Sequence, residues 1–156
     1  MKQVGEQIPA YLGVDQDGVE ITRESLKGKK VILYFYPKDN TSGCTAQACS
    51  LRDGLDDLMA AGYHVIGVSK DSAESHQKFR AKYHLSFTLI TDSDLTLQEE
   101  MGVWVEKSMY GKKYMGTQRT TFVLDEKGTI KAVLTGRKIK TKEHAAQLLQ
   151  VIDELK

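Results

Sequence analysis

Cysteine and proline are scarce in this chain. Its 156 residues include two cysteines, Cys44 and Cys49, and two prolines, Pro9 and Pro37. Two cysteines are too few for a disulfide framework in a chain of this length, and in a reducing compartment a close pair is more often catalytic or metal-binding. Zinc needs about four ligands, and the histidines show no close pairing with one another or with the cysteines. We therefore expect no metal site and no cofactor.

An excess of charge is also absent. Lysine and arginine number 22 and aspartate and glutamate 21, so the net charge of +1 does not resemble the footprint of a nucleic-acid-binding protein. No apolar run approaches membrane-spanning length, and residues 1–7 lack the apolar core of a signal peptide. We expect a soluble, cytoplasmic protein without nucleic-acid or membrane partners. Its length and the lack of internal repeats predict one domain over residues 1–156.

The most informative stretch joins an apolar run to an amphipathic segment. Residues 31–36 (VILYFY) are β-branched or aromatic, which is typical of a fully buried strand, and Pro37 ends it. Thr41 is a good N-cap residue, and the apolar spacing that follows predicts a helix to about Ala61 with Cys44 in its first turn. The dipole and free N–H groups of a helix N-terminus favour a thiolate, which is the nucleophilic form of cysteine.

The rest of the chain alternates strand and helix patterns. We predict a hairpin within 10–30, strands at 63–69 and 87–91, helices at 73–83 and 95–101, a loop over 103–118, a hairpin of 120–124 with 129–134, and a final helix capped by Thr141. A strand, a helix and a second strand with short joints form a parallel unit. This order predicts an α/β, thioredoxin-like fold: a central mixed β-sheet flanked by helices, with an N-terminal β-hairpin extension.

The cysteine spacing carries a geometric consequence. On one regular helix, residues five apart are separated by about 140° around the axis and roughly 7.5 Å along it. Cys44 would then continue the buried stripe, and Cys49 would lie with Arg52 on the polar side. A disulfide needs Cα atoms within about 7 Å, so the dithiol form should keep the helix and a disulfide form should melt its first turns. Considered alone, Cys49 also fits an ordinary packing residue.

Residues 34–53 resemble the active-site signature of the peroxiredoxins, Pro-x-x-x-Thr-x-x-Cys. More narrowly, they resemble the Q-type or bacterioferritin-comigratory-protein subclass, in which a second cysteine follows five residues later. The resemblance covers nearly the whole chain, including residues 102–104 and 119–125. Ser42 stands where the subclass usually has proline, which we expect to loosen the loop slightly and to leave the chemistry intact.

The resemblance implies the site residues. They are Cys44 as the peroxidatic cysteine, Cys49 as the resolving cysteine, Thr41 as a hydrogen-bonding partner of thiolate and peroxide, Pro37 and Gly43 as parts of the substrate pocket, and Arg119 as the positive charge beside the sulfur. From the residue alone, Arg119 is more typical of a solvated surface charge. Trp104 and Tyr110 are more typical of packing residues in the loop, and Gln47 of helix support.

The implied function is the thiol-dependent reduction of hydrogen peroxide and organic hydroperoxides. Cys44 becomes a sulfenic acid and condenses with Cys49 to an intramolecular disulfide, which thioredoxin or a similar dithiol donor reduces. The subclass is commonly monomeric. Thiolate attack on an O–O bond needs donors on the peroxide oxygens and stabilisation of the departing oxyanion, which helix N–H groups and a guanidinium can supply.

The scarcity of proline also separates related folds. Thioredoxins and glutaredoxins place a cis-proline before the strand that faces their active site, whereas this chain has Thr120 there, as peroxiredoxins do, and no Cys-x-x-Cys. Two alternatives remain. One is a disulfide reductase or isomerase, which the five-residue spacing disfavours; the other is a redox-sensing or chaperone-like binding protein, in which oxidation of Cys44 changes shape without turnover.

Overall fold

The computed structural model describes residues 1 to 156. Its strands are β1 Tyr11–Asp15, β2 Glu20–Thr22, β3 Lys30–Phe35, β4 Tyr63–Ser69, β5 Thr88–Thr91, β6 Trp104–Met109, β7 Lys112–Thr117, β8 Thr120–Leu124 and β9 Ile130–Thr135. Its α-helices are α1 Ser42–Asp53, α2 Leu55–Ala60, α3 Ala73–Tyr83, α4 Thr96–Met101 and α5 His144–Glu154. None of these helices has the length and apolar character needed to span a membrane.

Seven of the strands form one mixed sheet, in the order β2-β1-β5-β4-β3-β8-β9. The central strands β3, β4 and β5 are parallel neighbours, while β1 joins β5 and β8 joins β3 in antiparallel pairs. The N-terminal hairpin is β1 with β2, and the second predicted hairpin is β8 with β9. The mixed central sheet, its flanking helices and the N-terminal hairpin are therefore confirmed.

The apolar run of β3 is buried on both faces of the sheet. Ile32, Tyr34 and Tyr36 belong to a core layer that includes residues of α1, α2, α3 and α5. Leu33 and Phe35 belong to a second layer on the opposite face, which includes residues of α4. Because successive side chains of a strand point to opposite faces, a strand covered on both sides needs apolar or aromatic residues at every buried position, as residues 31–35 have.

The helix predicted to run to Ala61 is wrong in its length. It is interrupted at Gly54, where φ is −96° and ψ is 6°, and α2 begins at Leu55. A side chain at position 54 would overlap Ala145 of α5. Glycine thus allows α5 to pack closely against this junction, and glycine is also a poor helix former.

The segment predicted as a loop over 103–118 is instead an antiparallel hairpin of β6 and β7. Tyr110 and Gly111 form its two-residue turn, and both have positive φ, 53° and 78°. A two-residue turn of this kind normally carries asparagine or aspartate before the glycine. Tyrosine at that position explains why the sequence pattern did not indicate a hairpin.

The cap predicted for the last helix is also wrong. Residues Thr141–Glu143 form a short 3-10 turn, and α5 begins one residue later at His144 without a side-chain cap. The predicted apolar face of this helix comprises Ala145, Leu148, Leu149, Ile152 and Leu155. Ala145, Leu148 and Ile152 are buried and Leu149 is half-buried, but Leu155 lies beyond the helix and is exposed.

Candidate active site

The site lies where β3 ends and α1 begins, beyond the carboxyl end of a central strand, as is usual in open α/β sheets. Cys44 is the third residue of α1 and therefore lies in its first turn, as predicted. Its side chain is almost fully buried, with 2% of its surface exposed, and it continues the buried face of α1. Cys49 is partly exposed, and both thiols are free.

Arg119 lies directly against the Cys44 sulfur. Its Nη2 donates a hydrogen bond to Cys44 Sγ over 3.3 Å. The sheet register places it there, because Thr120 pairs with Phe35, the last residue of β3. A guanidinium at this distance stabilises a thiolate by a charge-assisted hydrogen bond. The structure therefore brings together Cys44 and Arg119, which lie 75 positions apart in the sequence.

Gln47 orients the guanidinium. It is fully buried, and its Oε1 accepts a hydrogen bond from Arg119 Nη1 over 2.5 Å. Sequence reasoning assigned Gln47 to helix support alone, although its spacing of three residues from Cys44 places both on one helix face. Gly43 contributes space, because a Cβ there would lie 3.2 Å from Arg119 Nη2.

Thr41 occupies the N-cap position of α1 in extended geometry, but its side chain makes no capping hydrogen bond. Its hydroxyl instead donates to the carbonyl of Lys38 over 2.9 Å and makes no hydrogen bond to Cys44. The Thr41 oxygen keeps its acceptor capacity, and the residue is exposed beside the first turn of α1. Pro37, at the other end of the loop, is half-buried.

The structure is that of the dithiol form, with α1 continuous through both cysteines. Arg52, near the end of α1, donates to the carbonyl of Tyr83 at the end of α3 and to the carboxylate of Asp53, both over 2.9 Å. Arg52 thus links the end of α1 to the end of α3.

The loop between Pro37 and Thr41 contains a buried carboxylate that the sequence pattern did not single out. The Tyr36 hydroxyl donates to Asp39 Oδ1 over 2.5 Å. Burial raises the pKa of Tyr36 well above its ordinary value, so the phenol keeps its proton and acts as donor. Burial likewise raises the pKa of the neighbouring Tyr34, whose hydroxyl has no hydrogen-bond partner.

The β6–β7 hairpin adds a second cation to the surroundings of the site. Burial and the charge of Arg119 lower the pKa of Lys107, while the negative charge of a Cys44 thiolate opposes this shift. At the hairpin tip Tyr110 is 98% exposed, so its predicted packing role is wrong. Trp104 is half-buried, and its ring lies under Lys70 Nζ at 5.5 Å from the centroid. Nowhere do three or more metal-ligating side chains gather.

Comparisons with known proteins define the class. Residues 4–133 match the AhpC/TSA family, and the chain belongs to this family. It is 48% identical over 147 residues to a peroxiredoxin bcp of Coxiella burnetii, covering 94% of this chain and 96% of that protein. It is 41% identical over 152 residues to peroxiredoxin Bcp of Escherichia coli, covering 97% and 96% of the two chains.

A solved structure agrees with these relatives. The Xanthomonas campestris bacterioferritin comigratory protein, studied for its alkyl peroxide reduction activity, matches with a TM-score of 0.87 at 32% identity, over 99% of this chain and all of that chain. The thioredoxin-like fold and the resemblance to Q-type or bacterioferritin-comigratory peroxiredoxins are therefore confirmed. Peroxiredoxins are thiol-dependent peroxidases. The family therefore favours an enzyme over the redox-sensing or chaperone-like binding protein considered above.

Acid should destabilise the protein through His144, which is fully buried. Its Nε2 lies 2.9 Å from Thr121 Oγ1, and its Nδ1 lies 3.0 Å from Gln147 Oε1. Burial lowers the pKa of His144 from 6.5 to about 4. The unfolded chain therefore binds this proton more readily than the folded protein. Between pH 6.5 and pH 4, this group alone should lower the free energy of unfolding by up to about 3 kcal/mol.

Urea unfolding at pH 7 and pH 4.5 measures this effect in the wild type, His144→Gln and His64→Gln. His64 is exposed and serves as the matched control. The His144→Gln variant should lose less stability on acidification than the other two. Equal acid sensitivity of all three proteins would contradict the assignment.

Proposed function

We propose that this chain reduces hydrogen peroxide and organic hydroperoxides through Cys44 and Cys49. The observation that supports this most directly is the 3.3 Å hydrogen bond from Arg119 to a cysteine in the first turn of a helix. Guanidinium and helix N–H groups both favour a thiolate. The identity to proteins named peroxiredoxin adds independent support.

In the first step the Cys44 thiolate attacks one peroxide oxygen and forms an S–O bond while the O–O bond breaks. The second oxygen leaves with the bonding pair and takes a proton, giving water or an alcohol, and Cys44 becomes a sulfenic acid. Arg119 stabilises the charge that develops on the oxygens. We assign Thr41 to hydrogen bonding with the peroxide, and Pro37 and Gly43 to the walls of its pocket.

In the second step Cys49 attacks the sulfenic sulfur, forms the Cys44–Cys49 disulfide and releases water. Cys49 lies five residues further along the same continuous helix, at a separation beyond the reach of a disulfide in regular helical geometry. We therefore infer that the first turns of α1 unwind in this step. Thioredoxin or a similar dithiol then reduces the disulfide and is itself oxidised.

We further propose that the enzyme acts as a monomer in the cytoplasm. Both cysteines are free in this structure, and a thiol pair that must be reduced in each cycle suits a reducing compartment. Sedimentation of the purified protein measures its oligomeric state.

Peptide mapping of the wild type tests the reaction. Reduced protein treated with one equivalent of hydrogen peroxide should yield a dimedone adduct on Cys44 at early times and a Cys44–Cys49 disulfide later. Thioredoxin, thioredoxin reductase and NADPH should then restore both thiols. A dimedone adduct on Cys49, or a disulfide between two chains, would overturn the assignment of the two cysteines.

A further inference from the structure

We propose that His76 is a positioning residue for peroxide reduction: paired with Asp39, it holds the loop before Cys44 in the geometry that peroxide attack requires. The proposal rests on the proposed function. It is independent of which peroxide or reductant the enzyme uses.

The pair is buried and close. His76 Nδ1 lies 2.7 Å from Asp39 Oδ2, and the two side chains are 0% and 3% exposed. The same carboxylate accepts hydrogen bonds from the Tyr36 hydroxyl on Oδ1 and from the Ser75 hydroxyl on Oδ2, over 2.5 and 2.9 Å. The two oxygens of this carboxylate thus have three hydrogen-bonding partners in all.

The imidazole is held at both nitrogens. His76 Nε2 lies 3.0 Å from the carbonyl oxygen of Ile90, which can only accept a hydrogen bond, so Nε2 carries a hydrogen. His76 therefore connects the carboxylate of the loop to β5 through its two ring nitrogens.

The loop between Pro37 and Thr41 is held in place by contacts with residues of other elements. The Asp39 backbone N–H donates to Asp71 Oδ2 over 2.8 Å, and that oxygen also accepts from the Ser69 hydroxyl. The next residue, Asn40, has a positive φ of 59°, and its Oδ1 accepts a hydrogen bond from the Tyr83 hydroxyl. Contacts with α3 and the end of β4 thus set the loop conformation.

A buried hydrogen-bonded pair is weak evidence for a role in stability, since replacing both partners by well-packed apolar groups can leave a protein equally stable. Its contribution here is to geometry. Asp39 precedes Thr41 by two residues and Cys44 by five. A displacement of the loop would move Thr41, while Arg119 reaches Cys44 from the residue before β8 and is not held by the loop.

Two reactions of Cys44 distinguish a positioning role of the pair from a structural one. Alkylation of Cys44 by iodoacetamide needs only a thiolate, whereas peroxide attack also needs donors placed on the two oxygens. Loss of the His76–Asp39 pair should therefore slow oxidation by hydrogen peroxide far more than alkylation. A merely structural role would change both rates together.

Two variants of His76 each keep a nitrogen at one of its two hydrogen-bonding positions. In His76→Asn the amide nitrogen replaces Nδ1 and faces Asp39, whereas in His76→Gln it replaces Nε2 and faces Ile90. Both are made in a Cys49→Ser background, so that Cys44 is the only thiol. In stopped-flow measurements we expect His76→Gln to lower the second-order oxidation rate constant by about 10- to 100-fold and to leave alkylation within about two-fold. His76→Asn should recover most of the oxidation rate.

Asp39→Asn provides a second test, because it keeps an acceptor for Tyr36 but replaces the oxygen that faces His76 with an amide nitrogen. The double variant Asp39→Asn/His76→Gln should be no slower than the slower single variant. Parallel losses of oxidation and alkylation, an unaffected His76→Gln variant, or additive losses in the double variant would each overturn the proposal. If the parent protein with His76 intact consumed no peroxide, the proposed function itself would fail, which is a separate outcome.

Discussion

Cys44→Ser should abolish peroxide consumption. The serine hydroxyl is not ionised at neutral pH and cannot form a sulfenic acid, so neither the O–O cleavage nor the later disulfide is possible. Arg119 and the N-terminus of α1 would then have no thiolate to stabilise. We expect no hydrogen peroxide loss above the uncatalysed rate, measured directly in the presence of excess thioredoxin system.

Cys49→Ser is the matched control, because it alters the second thiol of the same helix by one atom. This variant should consume one equivalent of hydrogen peroxide at close to the wild-type rate, form a sulfenic acid on Cys44 and then stall with thioredoxin as donor. Prolonged exposure should carry Cys44 to the sulfinic acid. Peroxide consumption by Cys44→Ser would refute the central assignment, and sustained turnover by Cys49→Ser would indicate a one-cysteine cycle.

Arg119→Ala should slow the oxidation of Cys44 by about 10²- to 10³-fold, the usual loss when one donor to a developing oxyanion is removed. The residue donates to both Cys44 Sγ and Gln47 Oε1. It is half-buried, and no acidic partner depends on it, so its loss should change the free energy of unfolding by about 1 kcal/mol.

Arg119→Lys should recover part of this loss, because lysine keeps the charge but cannot bind two acceptors with a rigid planar fork. Arg137→Ala, at an exposed position, is the control for a general loss of positive charge. The measurements are stopped-flow oxidation and thermal unfolding of each variant. A rate loss in Arg119→Ala that is matched by Arg137→Ala would show that net charge, and not the contact with sulfur, sets the rate.

Strong local patterns were sufficient to predict much of the fold. Strand β4 and helix α3 have the predicted bounds, because each has a clear apolar pattern between turn or cap residues. Ser72 caps α3 by accepting from the Ser75 N–H. The interruption of α1 at Gly54 could not be predicted in the same way, since it depends on the close approach of Ala145 from the far end of the chain.

The residues of the candidate site also fall into those that the sequence identified and those that it did not. Cys44, Cys49 and Thr41 belong to one short motif, and the resemblance also identified Arg119. Gln47 lies within the motif's helix, but its contact with Arg119 depends on how β8 pairs with β3. Asp39 and His76 are 37 positions apart, and neither belongs to a pattern that indicates a buried pair. Contacts between distant segments are thus what the sequence left undetermined.

The interruption at Gly54 also limits the unwinding that we proposed for disulfide formation. Helix formation is cooperative, so unwinding that starts at one end of an unbroken helix tends to spread along it. Here α1 ends at Asp53, and α2 is a separate helix that packs against β4 and α5. The unwinding proposed at Cys44 and Cys49 should therefore stop within a 12-residue segment, and α2 should keep its contacts with β4 and α5 while the disulfide forms and is reduced.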